Sequence, residues 1–319
     1  MMAAQRYPDD FNGILAAAPT LQWSQIMMKG LWNRAALEGS GLTASKMSNV
    51  FKAVAAKCDA QDGLRDGLMD DPRQCRFDPA SDMPRCAAGP EGAECLTNRQ
   101  VDALQLIYSG PKNSRGEQLF VGQVPGSEDE STIAPFLILP DNAPNLLTVF
   151  AASWMKYLAF GDPNYDPKSF DFDRDPSRTG RVDEIFNPTA DLSLFKERGG
   201  KMVTFWGWAD NALNPQMGLN YYDRLRAKYG ASETESFYRF FLVPGVAHCR
   251  GGYGPSEIDA LTPVINWVEK GTPPERLPAR LTKDGNVKYN RAYCAYPRTT
   301  QYNGSGSTED PNNFSCSRP

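Results

Sequence analysis

An α/β fold built on a parallel sheet is predicted by the last third of the chain, where residues 201–271 alternate strand, helix, strand and helix. Two further observations agree. An early apolar run at residues 13–18 is short and closed by Pro19, which suits a buried parallel strand, and the text between these regions has a different, helix-and-loop character. At 319 residues and 41% apolar, the chain can bury one large core or two smaller ones.

The elements follow in order. Residues before Tyr7 read as the end of a helix, so the chain starts inside a fold, and residues 13–18 supply the first strand. From about 22 to 197, amphipathic helices at 43–58, 97–109 and 146–160 are separated by long loops rich in Gly, Pro and Asp, and read as an irregular insertion. KMVTFWG (201–207) is then a strand, residues 215–230 a helix, SFYRFFLVPG (236–245) a second strand, and residues 256–271 a helix ended by Gly271 and two prolines. The tail from Pro297 is polar and rich in Gly and Ser, with only its last cysteine to tie it down. The expected partition is a core of residues 1–22 and 196–319, interrupted by a mainly helical lid at 23–195.

Composition narrows the partners. With 34 basic and 38 acidic residues mixed along the chain, net charge -4, there is no cationic field for nucleic acid or an anionic membrane; a small or neutral partner fits better. The sequence as written has no apolar stretch long enough to span a membrane and no export signal. Its seven cysteines point the other way. Cys58 and Cys75, Cys86 and Cys95, and Cys294 and Cys316 form close pairs without a CxxC, which reads as disulfides of an oxidising compartment, with Cys249 left over. Either the cysteines are reduced or the true beginning of a secreted or periplasmic protein is missing. Asn-x-Ser triplets at Asn303 and Asn313 are compatible with export and carry little weight.

Chemistry in parallel sheets sits in loops beyond the carboxyl ends of strands. Gly207-Trp208-Ala209-Asp210 places a carboxylate there, and Pro244-Gly245-Val246-Ala247-His248-Cys249 places the chain's single histidine at the next strand end. Acid then base on consecutive strands is the order found in α/β hydrolases, where the histidine takes a proton from a serine and the carboxylate fixes its tautomer. The alternative is a core histidine beside a helix-capping Asp210. No Gly-x-Ser-x-Gly turn is present; the nearest text, Asn303-Gly304-Ser305-Gly306, lies in the tail.

AQRYPDDFNGILAAAPT, GWADNALNP and PGVAHCRGG resemble the tannase and feruloyl esterase family, which includes a hydrolase of a terephthalate monoester; the resemblance runs through nearly the whole chain. It implies an α/β-hydrolase fold with an incomplete parallel sheet, and ester hydrolysis with a phenolic acid, feruloyl or galloyl, as the acyl part. It implies Asp210 and His248 as acid and base, with the serine on a Gly-Cys-Ser elbow roughly two helical turns upstream of Met1. In that family the cysteine beside the serine is bonded to the one after the histidine, here Cys249.

A second signal is the acidic, glycine-punctuated turn Cys58-Asp59-Ala60-Gln61-Asp62-Gly63-Leu64-Arg65-Asp66-Gly67-Leu68. Its carboxylates repel one another, its glycines allow sharp turns, and a calcium ion, which takes roughly six to eight oxygens, would resolve the repulsion. It is not an EF-hand, because position twelve counted from Asp62 is Arg73. The resemblance assigns the side chains of Asp59, Asp62 and Asp66 and the carbonyls of Leu64 and Leu68 as ligands, with a structural role for the metal. A solvated acidic turn is the competing account. The acidic stretch 162–175 lacks glycines and reads as a solvated loop.

The expectations are therefore an esterase part that carries acid and base, acts on a small aromatic ester, and requires a missing N-terminal segment for its nucleophile. In isolation it should be poorly soluble and inactive, with a sheet edge left unpaired. Two other classes remain open: a catalytically inactive, calcium-stabilised secreted binding protein, and a secreted structural module held by disulfides and calcium.

Overall fold

The computed structural model describes residues 1–87, 92–133, 136–138 and 145–317. Two compact units result: residues 1–21, 60–71 and 187–319 form the first, and residues 22–59 and 72–186 the second.

The first unit is built on a parallel sheet of β1 (Gly13–Ala17), β2 (Lys201–Gly207) and β3 (Tyr238–Val243) in that order. Gly13 pairs with Lys201 and Ala17 with Phe205; Met202 pairs with Tyr238 and Gly207 with Val243. β2 and β3 are nearly continuous apolar runs because both of their faces are covered. On one side the Gln216–Tyr229 helix brings Gly218 against Trp206 and Phe240. On the other the Leu261–Lys270 helix buries Val264 and Trp267 among Val203, Phe205, Phe241 and Val243.

The chain departs from the expected pattern in three places here. Gly230, at φ 83, ends one helix, and a further helix, Ala231–Phe237, precedes β3, so the strand begins later than its apolar text suggests. Residues 256–271 divide into β4 (Glu257–Ile258) and the Leu261–Lys270 helix. Beyond them, β5 (Arg276–Lys283) and β6 (Asn286–Cys294) form an antiparallel hairpin that also pairs with β4. Its turn is Asp284-Gly285, both at positive φ, as a two-residue hairpin demands. The polar tail forms a ribbon of β7 (Thr299–Tyr302) and β8 (Phe314–Ser317), fastened by Cys294–Cys316.

The second unit is mainly helical. Thr43 caps the Ala44–Cys58 helix, and Thr97 with Gln100 makes a reciprocal capping box on Asn98–Ser109. Asn145 caps Leu146–Ser153, after which residues 154–159 continue as a wider π-helical turn. Cys58–Cys75 and Cys86–Cys95 are bonded, as the spacing led one to expect. The acidic stretch 162–175 is not simply solvated. Asp175 is buried; burial opposes its charge, yet hydrogen bonds from the Asp171 segment, Arg174, Arg178 and Tyr165 hold its carboxyl down at about 2.

The boundaries expected from sequence placed all of 23–195 in a lid. Contacts instead put 60–71 and 187–195 with the sheet unit, because Asp66 pairs with Arg291 of β6, Gln5 accepts from the Thr189 amide, and Tyr229 accepts from the Leu192 amide.

Candidate active site and cation loop

β2 and β3 run parallel as neighbours, so the loops that follow them leave the sheet at the same end. The loops are stitched together: the Trp208 amide donates to the Val243 carbonyl at 2.9 Å and the Ala209 amide to the Val246 carbonyl at 3.0 Å. A Cβ on Gly207 would lie 2.0 Å from the Val246 oxygen, so this approach requires glycine.

Asp210 is 1% exposed. Its Oδ1 accepts from the amides of Ala212 at 2.9 Å and Leu213 at 2.8 Å, while Oδ2 lies 3.0 Å from Nδ1 of His248. Asp210 therefore caps no helix, since the next one begins at Gln216 after Pro215; one oxygen closes the local turn and the other meets His248. The His248 side chain retains 32% of its exposure. Burial opposes a charge on the ring, but the Asp210 carboxylate, and after it the Cys249 sulfur, raise the imidazole from its ordinary 6.5 to about 10.

Cys249 carries a free thiol and sits at φ 63, an uncommon conformation for a residue with a side chain. Its sulfur is 3.8 Å from His248 Nδ1 and donates to the Ala17 carbonyl at 3.6 Å. Ala17 ends β1, so the carboxyl ends of all three strands converge on His248. Asn303-Gly304-Ser305-Gly306 lies between β7 and β8, in the C-terminal ribbon.

The acidic turn opens with the short 3-10 helix Asp59–Asp62, and Gly63 and Gly67 take φ of 91 and 81. Asp62 accepts from the amides of Leu64 at 3.0 Å and Asp70 at 3.3 Å; Asp66 accepts from the Leu68 amide at 3.2 Å and from Arg291 Nη2 at 2.6 Å. Asp62, Leu64, Asp66, Leu68 and Asp70 line a cavity of about 20 Å³ together with Arg291 and Tyr293, room for one water-sized body. Among the described residues, no three His, Cys, Asp or Glu side chains are drawn together as a ready-made metal cage. The acidic groups crowd one another, with the Arg291 guanidinium set against Asp66 at 2.6 Å. Burial first, then the neighbouring charges of Asp62 and Asp66, push the Asp70 carboxyl up to about 7.

Asp70 and Arg291 were not singled out from the sequence. Asp70 had a signal, since it continues the 59, 62, 66 series by four residues. Arg291 had none: it arrives from β6, 225 residues away.

The family described as tannase and feruloyl esterase matches residues 1–317. The chain is 30% identical over 342 residues to a probable feruloyl esterase B-1 of Aspergillus terreus, covering 98% of this chain and 63% of that protein. It is 31% identical over 375 residues to the mono(2-hydroxyethyl) terephthalate hydrolase of Piscinibacter sakaiensis, covering 100% of this chain and 62% of that one. The crystal structure of feruloyl esterase B from Aspergillus oryzae superposes with a TM-score of 0.87 at 27% identity, over 99% of this chain and 65% of that one. The chain thus spans a little under two thirds of the length of these relatives, and its fold is that of the α/β-hydrolase-like feruloyl esterase B structure. With the match running from its first residue to its 317th, the chain belongs to the tannase and feruloyl esterase family.

Proposed function

We propose that this chain is the acid- and base-bearing part of a serine-type carboxylic ester hydrolase, with a phenolic acid of the feruloyl or galloyl kind as the acyl half of its substrate. The observation that carries the reading is the contact of the buried Asp210 carboxylate with the single histidine where three parallel strands end. With Nδ1 engaged by Asp210, proton exchange with a substrate-attacking serine falls to Nε2. His248 takes the hydroxyl proton as the serine attacks the ester carbonyl, returns it to the departing alcohol, and repeats the sequence with water to release the acid. The serine belongs to a segment upstream of Met1.

Such a base must be neutral before it acts, and in this chain His248 is held protonated to about 10. Part of that hold comes from the Cys249 sulfur, and a disulfide from Cys249 to a cysteine beside the serine would remove it. The same bond would keep base and nucleophile in register.

The acidic turn is the proposed calcium site, with the side chains of Asp59, Asp62 and Asp66 and the carbonyls of Leu64 and Leu68 as donors. Bound calcium would supply a hard positive charge to a crowded acidic loop, a structural contribution rather than a catalytic one. Three disulfides support an extracellular or periplasmic setting, and no helix among the described residues is long and apolar enough to cross a membrane.

Hydrolysis of methyl ferulate tests the reading. The 319-residue chain alone should be inactive, and the same chain extended by its upstream Gly-Cys-Ser segment should be active. Hydrolysis by the isolated chain at the rate of the extended one would remove the upstream serine from the proposal. An extended protein that binds the ester without cleaving it would leave a binding protein in its place.

A further inference from the structure

We infer that a cavity at the amino ends of β2 and β3, at the opposite end of the sheet from His248, binds an uncharged sugar. The inference goes beyond the proposed ester hydrolysis and does not depend on it.

The cavity has a volume of about 440 Å³, within the range of small-molecule sites, and all its lining residues belong to the sheet unit. Lys201, the first residue of β2, and Arg239, the second of β3, line it from the sheet. Ser232, Glu235 and Ser236 line it from the Ala231–Phe237 helix, and Trp267 and Gly271 from the end of the Leu261–Lys270 helix. The seven residues of β2 run from this cavity to the His248 end, about 20 Å of extended chain, so the two sites are separate.

Its charges cancel. Lys201 and Arg239 face one lining carboxylate, Glu235, a surplus of one positive charge. Two helices bring their carboxyl ends here, each carrying roughly half a negative charge, and these offset the surplus. Glu275 accepts from Arg239 at 2.9 Å and also meets Arg298, so it comes with its own counter-charge. A charged ligand therefore gains little, whereas hydrogen-bonding capacity of both kinds is at hand. The Lys201 ammonium donates to the Ser236 carbonyl at 3.1 Å and pairs with no carboxylate among the described residues, which leaves it further donors. Arg239, with 9% of its side chain exposed, has an Nε that meets no acceptor among the described residues. Glu235 meets Arg239 through Oε2, at 3.5 Å, leaving Oε1 to accept, and the exposed Ser232 adds a hydroxyl. Donors and acceptors set side by side match neighbouring sugar hydroxyls, each of which does both. Pro273 and the small uncovered part of Trp267 supply apolar surface for the C–H groups of the ring.

The test is saturation-transfer NMR on the 319-residue chain at about pH 6, with glucose, glucuronate and glucosamine as probes, which share a ring and differ in charge. Glucose should bind in the millimolar range, and the two charged sugars about fivefold or more weakly. Ser232→Trp, at an exposed position on the cavity wall, should abolish glucose binding. Glu235→Gln, which removes the one lining carboxylate, should turn the preference toward glucuronate. Both variants should keep the histidine midpoint of the native chain, the sign that the fold is intact, and Asp210→Asn should leave glucose binding unaltered. Absence of transfer to glucose, or transfer that survives Ser232→Trp, overturns the inference. So does glucuronate binding the native chain more tightly than glucose, which would make the cavity an anion site. An unchanged preference in a folded Glu235→Gln variant overturns the charge balance on which the inference stands, and loss of glucose binding in Asp210→Asn would place the sugar at the other end of the sheet.

Discussion

Asp210 divides its two oxygens between the backbone and His248, and the division makes its replacement informative. Asp210→Asn keeps an acceptor for the Ala212 and Leu213 amides but removes the charge that raises the imidazole. Because the chain has one histidine, its ring resonance reports the site without assignment: the midpoint should lie near 10 in the native chain and fall toward 6.5 in Asp210→Asn. A native midpoint near 6.5 would show that the pair does not form in solution. The sign for stability follows. His248 has a folded value above its unfolded 6.5, so its contribution is complete below 6.5 and is lost as pH rises through about 10. Urea midpoints should therefore fall between those limits in the native chain and change less in Asp210→Asn. Asp210 and His248 were legible in the sequence because an apolar strand leading into a short Gly-containing turn betrays a strand end. Arg291 was illegible because its meeting with Asp66 depends on tertiary pairing alone.

Among elements, the two stitched loops depend on Gly207. Gly207→Ala drives a methyl group into the Val246 carbonyl, which must move and carry His248 away from Asp210. The expected result is a histidine midpoint lowered in the same direction as by Asp210→Asn, together with a loss of about 1–3 kcal/mol from overpacking, measured by urea denaturation. The Ala44–Cys58 helix is anchored at its end by Cys58–Cys75, 17 residues apart. Replacing both cysteines by alanine should cost about 3 kcal/mol, mainly by releasing the unfolded chain. Helix starts were readable from Thr43 and Thr97 because capping chemistry is local. The β5–β6 hairpin was hidden although Asp284-Gly285 is a strong turn signal, since Pro278 and the flanking charges argue against strands. The start of β3 was misplaced because Ser236 and Phe237 look like strand but complete a helix opened after Gly230.

For the whole molecule, residues 60–71 of the acidic turn lie within the sheet unit, where Arg291, Tyr293, Tyr302 and Phe314 line the cavity with them. Calcium at a hundred times its dissociation constant should stabilise the chain by about 2.7 kcal/mol, a shift of several degrees in Tm that EGTA reverses. Asp66→Ala should abolish the calcium response; a Tm indifferent to calcium in the native chain would leave the loop a plain acidic turn.

The disulfide that fastens the C-terminal ribbon has an analytical consequence. Cys294 and Cys316 bracket the exposed residues 303–307, so a protease cutting there leaves both fragments covalently joined. A clipped sample would migrate as intact protein on a non-reducing gel and shed a short peptide only when the thiols are restored, so purity should be judged under both conditions.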